Sequence, residues 1–209
     1  MQQILIRHGE SLSNREGRVQ GQVDVDLSEC GRRQAEAVAA WCWSQPEIVA
    51  AEELWSSPLR RARETAAVIG AAIGKPVQIA DNLRELHAGI FQGHLWDDLA
   101  IRFPVEVARW QSGDVDYQIP EGESRRQLAQ RGRQALEALA ARAARRMIVV
   151  AHGGILTAAL SLLVGRDHPL LADAGERPFT RLPALANCSV SELVWPGPEL
   201  VRFNETGHI

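Results

Sequence analysis

The sequence predicts an α/β layered fold with mostly parallel strands joined by right-handed crossovers. Three observations point there. Apolar runs of strand length, among them Gln3 to Arg7 and Met147 to Val150, alternate with segments whose apolar residues recur at helical spacing. Both of those runs break into histidine and glycine, His8-Gly9 and His152-Gly153-Gly154, as strands do where they enter tight loops. The composition is that of an ordinary soluble globular domain: 209 residues, 45% hydrophobic and 23% charged, with 17 Gly and 10 Pro. A chain of this length buries most of its apolar surface in one core without metals or disulfides, so a single domain over residues 1–209 is expected.

The elements follow in order. Gln3 to Arg7 reads as a buried strand. Asp26-Leu27-Ser28 precedes Ala35, Val38, Ala39 and Cys42 at helical spacing, which makes Ser28 an N-cap. Leu54 to Pro58 reads as a second strand running into a helix that turns Ala62, Ala66, Ile69 and Ile73 to one side and stops near Gly74, and Val77 to Ile79 is a third strand. His94 to Trp110 is broadly helical with a break at Pro104. From there to Gly122 the chain is loop-like, so residues 94–122 read as an insertion over the sheet. Ser124-Arg125-Arg126-Gln127 has the form of a capping box, and the helix it opens turns Leu128, Ala135, Leu136, Leu139 and Ala143 inward, leaving Arg125, Arg126, Arg131 and Arg133 as a solvated face. An apolar helix from about Ile155 to Val164 follows the second histidine. A polar, Pro-containing connection from Gly165 to Ala186 leads to closing strands at Val190 to Trp195 and Leu200 to Phe203.

A formal net charge of -3 lacks the basic excess that neutralising a run of nucleic-acid phosphates requires, so any phosphate bound here belongs to a small molecule and no nucleic-acid partner is expected. The chain shows no charged segment followed by an apolar one at its start, and its longest apolar run is far shorter than the ~20 residues of a membrane span. Three cysteines, Cys30, Cys42 and Cys188, form neither a disulfide framework nor zinc spacing and read as reduced thiols. The expectation is a cytoplasmic protein with no membrane partner. No zinc-helix pattern or Walker-type loop is present, so neither metal nor cofactor is expected.

His8 and His152 each follow an apolar strand and precede glycine, which puts both at the carboxyl end of the sheet, where open α/β folds place their ligands. Their rings face one another if the strands are neighbours. Either histidine alone is more often structural than catalytic, and the surrounding residues change that balance. Arg7-His8-Gly9-Glu10 with Asn14, Arg18, Gln20-Gly21 and Asp26-Leu27-Ser28 resembles the opening signature of the histidine phosphatase superfamily, also called phosphoglycerate mutase-like. Ser57-Pro58-Leu59-Arg60-Arg61-Ala62, Leu83-Arg84-Glu85-Leu86-His87-Ala88-Gly89, Pro120-Glu121-Gly122-Glu123-Ser124, Ala151-His152-Gly153-Gly154 and Asn187-Cys188-Ser189-Val190 resemble its later landmarks in order.

The resemblance implies a three-layer α/β/α fold, with the 94–122 insertion, and a phosphatase of small-molecule phosphomonoesters, closest to bacterial broad-specificity or sugar-phosphate phosphatases. Its nucleophile would be His8, forming a phosphohistidine. Glu85 would be the general acid and base, and Arg7 and Arg61 would clamp phosphate oxygens with forked, permanently charged guanidiniums. His152 and Asn14 would add donors, and Gln20, Gly21 and Gly153 would complete the phosphate site. A homodimer is common among such relatives. A cofactor-dependent phosphoglycerate mutase is the alternative, disfavoured because Leu86, Ala88 and Gly154 stand where mutases carry Arg, Tyr and Asn. A non-catalytic phospho-ligand module is a second. Substrate choice is expected from residues 86–122 and 165–186. Gln92 departs from the glutamate common in such phosphatases and removes a carboxylate at the pocket rim. Glu10 and Glu123 are read as arginine partners or helix caps, His87 as either pocket-facing or structural, and Trp41, Trp43 and Trp55 as core or interface aromatics.

Overall fold

A computed structural model describes residues 1–174 and 182–209. In chain order the elements are β1 (Gln2–Arg7), α1 (Leu12–Glu16), α2 (Glu29–Ser44), α3 (Pro46–Val49), β2 (Glu53–Ser56), α4 (Arg60–Ile73), β3 (Val77–Ile79), α5 (Leu99–Arg102), α6 (Pro104–Gln111), α7 (Arg125–Ala140), β4 (Arg146–Ala151), α8 (Gly153–Val164), α9 (Pro169–Ala172), β5 (Val190–Val194) and β6 (Glu199–Glu205). The strands form one sheet in the order β3-β2-β4-β1-β5-β6. The first four run parallel, and β5 and β6 are added antiparallel at one side.

Why the sheet is covered on both sides is visible in β1. A strand turns successive side chains to opposite faces. Ile4 and Ile6 pack with Ile148, Val150 and Leu54 against Val38 and Cys42 of α2 and Ala66 and Ile69 of α4. Leu5 joins Met147 and Val149 on the other face, against Leu128, Leu136 and Leu139 of α7 and Leu156 and Ala159 of α8. An uninterrupted apolar run is what a strand between two helical layers requires. The three-layer expectation holds. A third, smaller core joins Val19 to Phe91, Leu99, Val107, Trp110 and Ile119, so residues 94–122 pack as a cap over the carboxyl end of β1.

The expected caps are present. Ser28 accepts from Gly31 N at the start of α2, Ser124 and Gln127 form the capping box of α7, and Gly74 closes α4 in the left-handed region at φ 68°. Three short helices escape the sequence reading, among them α3, which starts at Pro46. In α1, Ser11 and Asn14 make a capping box with asparagine in the place usually held by Glu or Gln, and α9 lies inside the connection after Gly165. Ala143, expected inward, is exposed. Helix α7 ends at Ala140 because the chain must turn to enter β4, and Ala144 takes the buried place. The solvated-face reading of the α7 arginines holds for Arg126 and Arg133, which are exposed, and fails for Arg125 and Arg131. Arg125 is buried with its guanidinium 3.7 Å from the Trp110 ring centre, and Arg131 is half-buried in an ion pair with Glu123. Helical periodicity assigns faces but does not see that the 94–122 cap folds over the first turns of α7. Among the tryptophans, Trp41 stacks on His208, Trp55 packs against the core, and Trp43 is exposed. Burial pushes the thiols of Cys42 and Cys188 up to about 12, and Cys30 is half-buried.

Candidate active site

The two histidines meet because of sheet register. Strands β1 and β4 are parallel neighbours with Arg7 opposite Ala151, so His8 and His152 are each the first residue past the paired ends. Their ring centres lie 5.0 Å apart with planes at 61°. Both are buried, and the surrounding backbone settles which nitrogen of His8 keeps its lone pair. Nδ1 of His8 lies 2.6 Å from Gly9 O. A carbonyl oxygen only accepts, so Nδ1 carries the proton and Nε2 keeps the lone pair. Arg61 Nε donates to that Nε2 at 3.2 Å. The turn holding His8 depends on close backbone packing against α2: a Cβ on Gly9 would stand 2.4 Å from Gly31 O, and one on Gly31 1.9 Å from Glu10 O.

His152 is the N-cap residue of α8, and its Nε2 lies 2.7 Å from Ser57 Oγ. Its Nδ1 has no hydrogen-bond partner among the described residues. Burial first, then the neighbouring Arg61, His8 and Arg7, hold its pKa well below the ordinary histidine value. His152 is therefore neutral at neutral pH. Arg61 is buried in α4, and its Nη1 and Nη2 donate to the carbonyls of Val23 and Gly21, each at 2.9 Å. Burial draws it down to about 10, so it stays charged. Arg7 reaches Leu185 O from the end of β1.

Glu85 arrives from the segment after β3. Its carboxylate takes N–H bonds from Gly154 at 2.8 Å, Ile155 at 3.0 Å and Leu86 at 2.8 Å, the first two at the start of α8, where the helix dipole favours an anion. Gly154 is required for this approach, because a Cβ there would lie 2.3 Å from Glu85 Oε1. Arg131 holds the segment by its carbonyls, donating to Asn82 O, Arg84 O and Glu85 O, while pairing with Glu123. Glu123 is thus an arginine partner, and Glu10 accepts from the capping Ser28 hydroxyl. His87 takes the structural alternative: Gly89 N donates to its Nδ1 and it does not line the cavity.

These groups surround a cavity of about 130 Å³. Its lining includes Arg7, His8, Asn14, Gln20, Gly21, Arg61, Glu85 and Gly153, all of them singled out in the sequence, while His152 stands directly behind His8. At ~10–15 Å³ per water, that is room for roughly ten waters and hence for a small molecule. Glu85 is the one carboxylate among the described lining residues, against Arg7, Arg18, Arg61 and Arg125. Leu86, Ala88, Trp96, Trp110, Leu182 and Pro183 supply apolar wall, so both segments expected to govern substrate choice reach the cavity; residues 175–181 of the second lie outside the described residues. Arg125, Trp96, Trp110 and Ser57 are not among the residues the sequence places at the site, because their places depend on packing between distant segments. Gln92 does not line the cavity; it sits behind it, against Gly21. Asn187 donates to His8 O at 2.9 Å and ties the last landmark to the turn that holds His8. No described helix is long and apolar enough to cross a membrane.

A family model described as histidine phosphatase superfamily (branch 1) matches residues 3–206. The chain is 40% identical over 159 residues to a metal-independent phosphoserine phosphatase of Arabidopsis thaliana, a match covering 74% of this chain and 65% of that protein. It is 36% identical over 156 residues to phosphoglycerate mutase-like protein 4 of the same plant, covering 73% of this chain and 66% of the other. The chain thus spans just under two thirds of the length of both relatives. A mycobacterial glucosyl-3-phosphoglycerate phosphatase solved with VO3 superposes at a TM-score of 0.78 with 31% identity, covering 98% of this chain and 99% of that one. With paired histidines at the ends of neighbouring strands, arginines around them and a match over nearly its whole length, the chain belongs to the histidine phosphatase superfamily.

Proposed function

We propose that this protein hydrolyses small-molecule phosphomonoesters in two steps through a phosphohistidine on Nε2 of His8. The observation that carries this is the fixed tautomer: Gly9 O holds the proton on Nδ1, and the lone pair of Nε2 lies among guanidiniums at the cavity. A phosphomonoester is an anion and resists attack until its charge is met. Arg7 and Arg61 meet it in pairs of N–H bonds. Asn14 turns its carbonyl oxygen toward Ser11 and Asn187, which directs its NH2 group to the ligand, with Gln20, Gly21 and Gly153 completing the floor. Ser57 Oγ lies 2.7 Å from His152 Nε2; with the hydroxyl as donor, Nδ1–H of the neutral ring is a further donor.

In the first step the Nε2 lone pair gives up its hydrogen bond from Arg61 Nε and forms the N–P bond, the bond from phosphorus to the ester oxygen breaks, and Glu85, entering this step as the carboxylic acid, gives that oxygen a proton. In the second, Glu85 takes a proton from water as the water oxygen attacks phosphorus. The N–P bond breaks, its electron pair returns to Nε2, and inorganic phosphate leaves. The mutase alternative has less support, because Leu86 and Ala88 present aliphatic wall where a returning phosphoryl acceptor would need to be held. The binding-module alternative leaves the ordered Glu85 and His8 unexplained. Phosphorylated metabolites of the phosphoserine and phosphoglycerate kind are the first substrates to try. Free thiols at Cys30, Cys42 and Cys188 support a reducing, cytoplasmic setting.

Replacing His8 by Ala should abolish phosphate release from an aryl phosphate and the acid-labile label that labelled substrate leaves on the wild-type chain. Normal turnover in His8→Ala would overturn the mechanism. With 3-phosphoglycerate, released phosphate supports the hydrolase and accumulated 2-phosphoglycerate the mutase.

A further inference from the structure

Gln92 follows a single 3-10 turn, Gly89–Phe91, whose Phe91 is buried in the small core of the cap. Its amide oxygen accepts from two backbone donors in different segments, Gln22 N at 2.8 Å and Ala88 N at 3.3 Å. Beside it, Gly93 N donates to Val19 O and Val19 N to His94 O, so the chain around 19–22 lies along 92–94. Gln22 returns the contact from its side chain, donating to Glu85 O at 3.0 Å. The same loop presents the carbonyls of Gly21 and Val23 to the two terminal nitrogens of Arg61, whose Nε faces His8. Gly21 sits in the left-handed region at φ +53°, and a Cβ there would stand 2.2 Å from the Gln92 amide oxygen. The glycine therefore leaves room for the clamp as well as for the turn.

We infer that Gln92 is a positioning residue: its amide oxygen clamps the 20–23 loop to the 85–88 segment and thereby sets the spacing between the Arg61–His8 pair and Glu85. Arg61 is aimed by two carbonyls that belong to a loop, and that loop is tied to the acid's own backbone through Gln22 and Gln92. If the loop relaxes, Arg61 and Glu85 move independently, and their joint alignment on one phosphoryl group is lost. The requirement is for an acceptor with two lone-pair directions and not for charge, since both partners are neutral backbone N–H groups.

The kinetic readout rests on the hydrolase reading above. With an aryl phosphate, Gln92→Ala should lower kcat by about ten-fold or more with little change in Tm, because misplacement on the scale of 1 Å costs up to ~10²-fold. Gln92→Glu should retain kcat within about two-fold at neutral pH, since a carboxylate accepts the same two bonds. Gln22→Ala should lose less, and the double variant Gln22→Ala/Gln92→Ala should match Gln92→Ala instead of multiplying the two losses, because both act through one loop. Wild-type kcat in Gln92→Ala, failure of Gln92→Glu to rescue, or multiplicative losses would each overturn the clamp. If the wild-type chain releases no phosphate, the hydrolase reading fails on its own. Calorimetry with inorganic phosphate then decides the clamp: it stands if Gln92→Ala weakens binding severalfold and Gln92→Glu does not, and it falls if the affinities are equal.

Discussion

His152 is a neutral ring among cations, and its protonation is coupled to folding. A histidine in an unfolded chain titrates near 6.5, whereas burial and the neighbouring Arg61 hold folded His152 well below that. Below about 6.5 the unfolded chain binds a proton that the folded chain refuses, so the stability from a neutral His152 is complete above that pH and is lost as pH falls toward the folded value. The limiting slope is about 1.4 kcal/mol per pH unit. Denaturant titrations of the wild type and His152→Gln between about pH 7.5 and 5 should show the wild type losing stability more steeply; parallel curves would show that the buried ring is not the titrating group. His8 is governed differently. Its proton is placed by the neighbouring carbonyl of Gly9, a contact between adjacent residues.

At the scale of elements, the start of α8 performs two tasks that conflict in sequence space. Gly154 is the second residue of the helix, where alanine is the better helix former. It is held to glycine by Glu85, which occupies the place a Cβ would take and accepts from the backbone of Gly154 and Ile155. Gly154→Ala should therefore leave Tm within a few degrees of wild type while lowering kcat by about ten-fold or more, as the carboxylate is pushed from its alignment. A melting transition displaced as far as the activity would mean that the glycine serves the fold and not the acid. Helix α7 shows why periodicity misjudged Arg125 and Arg131. Both stand on the polar side of α7 by spacing, yet the cap brings Trp110 to Arg125, and Arg131 meets Glu123 and the backbone of the segment after β3.

Across the whole molecule, a net charge of -3 would repel a phosphate dianion, but the described cavity lining sets four arginines against one glutamate. The local field decides capture because low-dielectric walls focus it and screening removes the distant charges first. Raising ionic strength from about 0.01 M to about 0.15 M, which shortens the Debye length from ~30 Å to ~8 Å, should lower kcat/KM severalfold and leave kcat nearly unchanged. A rate constant that rose with salt would show that the overall negative charge dominates the encounter. The three-layer arrangement is what makes such a cavity available. The parallel strands end together, helices seal both faces, and the 94–122 cap roofs the carboxyl end of β1 with a small core of its own.

The alternation of strands and helices, the caps at Ser28 and Ser124, and a histidine behind each of two apolar strands were legible in the order of residues, because each depends on neighbours a few positions away. The family landmarks could also be read there, since each is a short run of residues. That β1 and β4 are neighbours in the register Arg7 to Ala151 is a long-range fact, and it alone puts the two imidazoles 5.0 Å apart. Gln92 shows the limit most clearly. In sequence it marks a missing carboxylate at a pocket rim, whereas in the fold it is an acceptor behind the cavity, joining segments 70 residues apart. Periodicity reports which side of an element is apolar; which distant backbone comes to lie against that side is settled only when the layers pack.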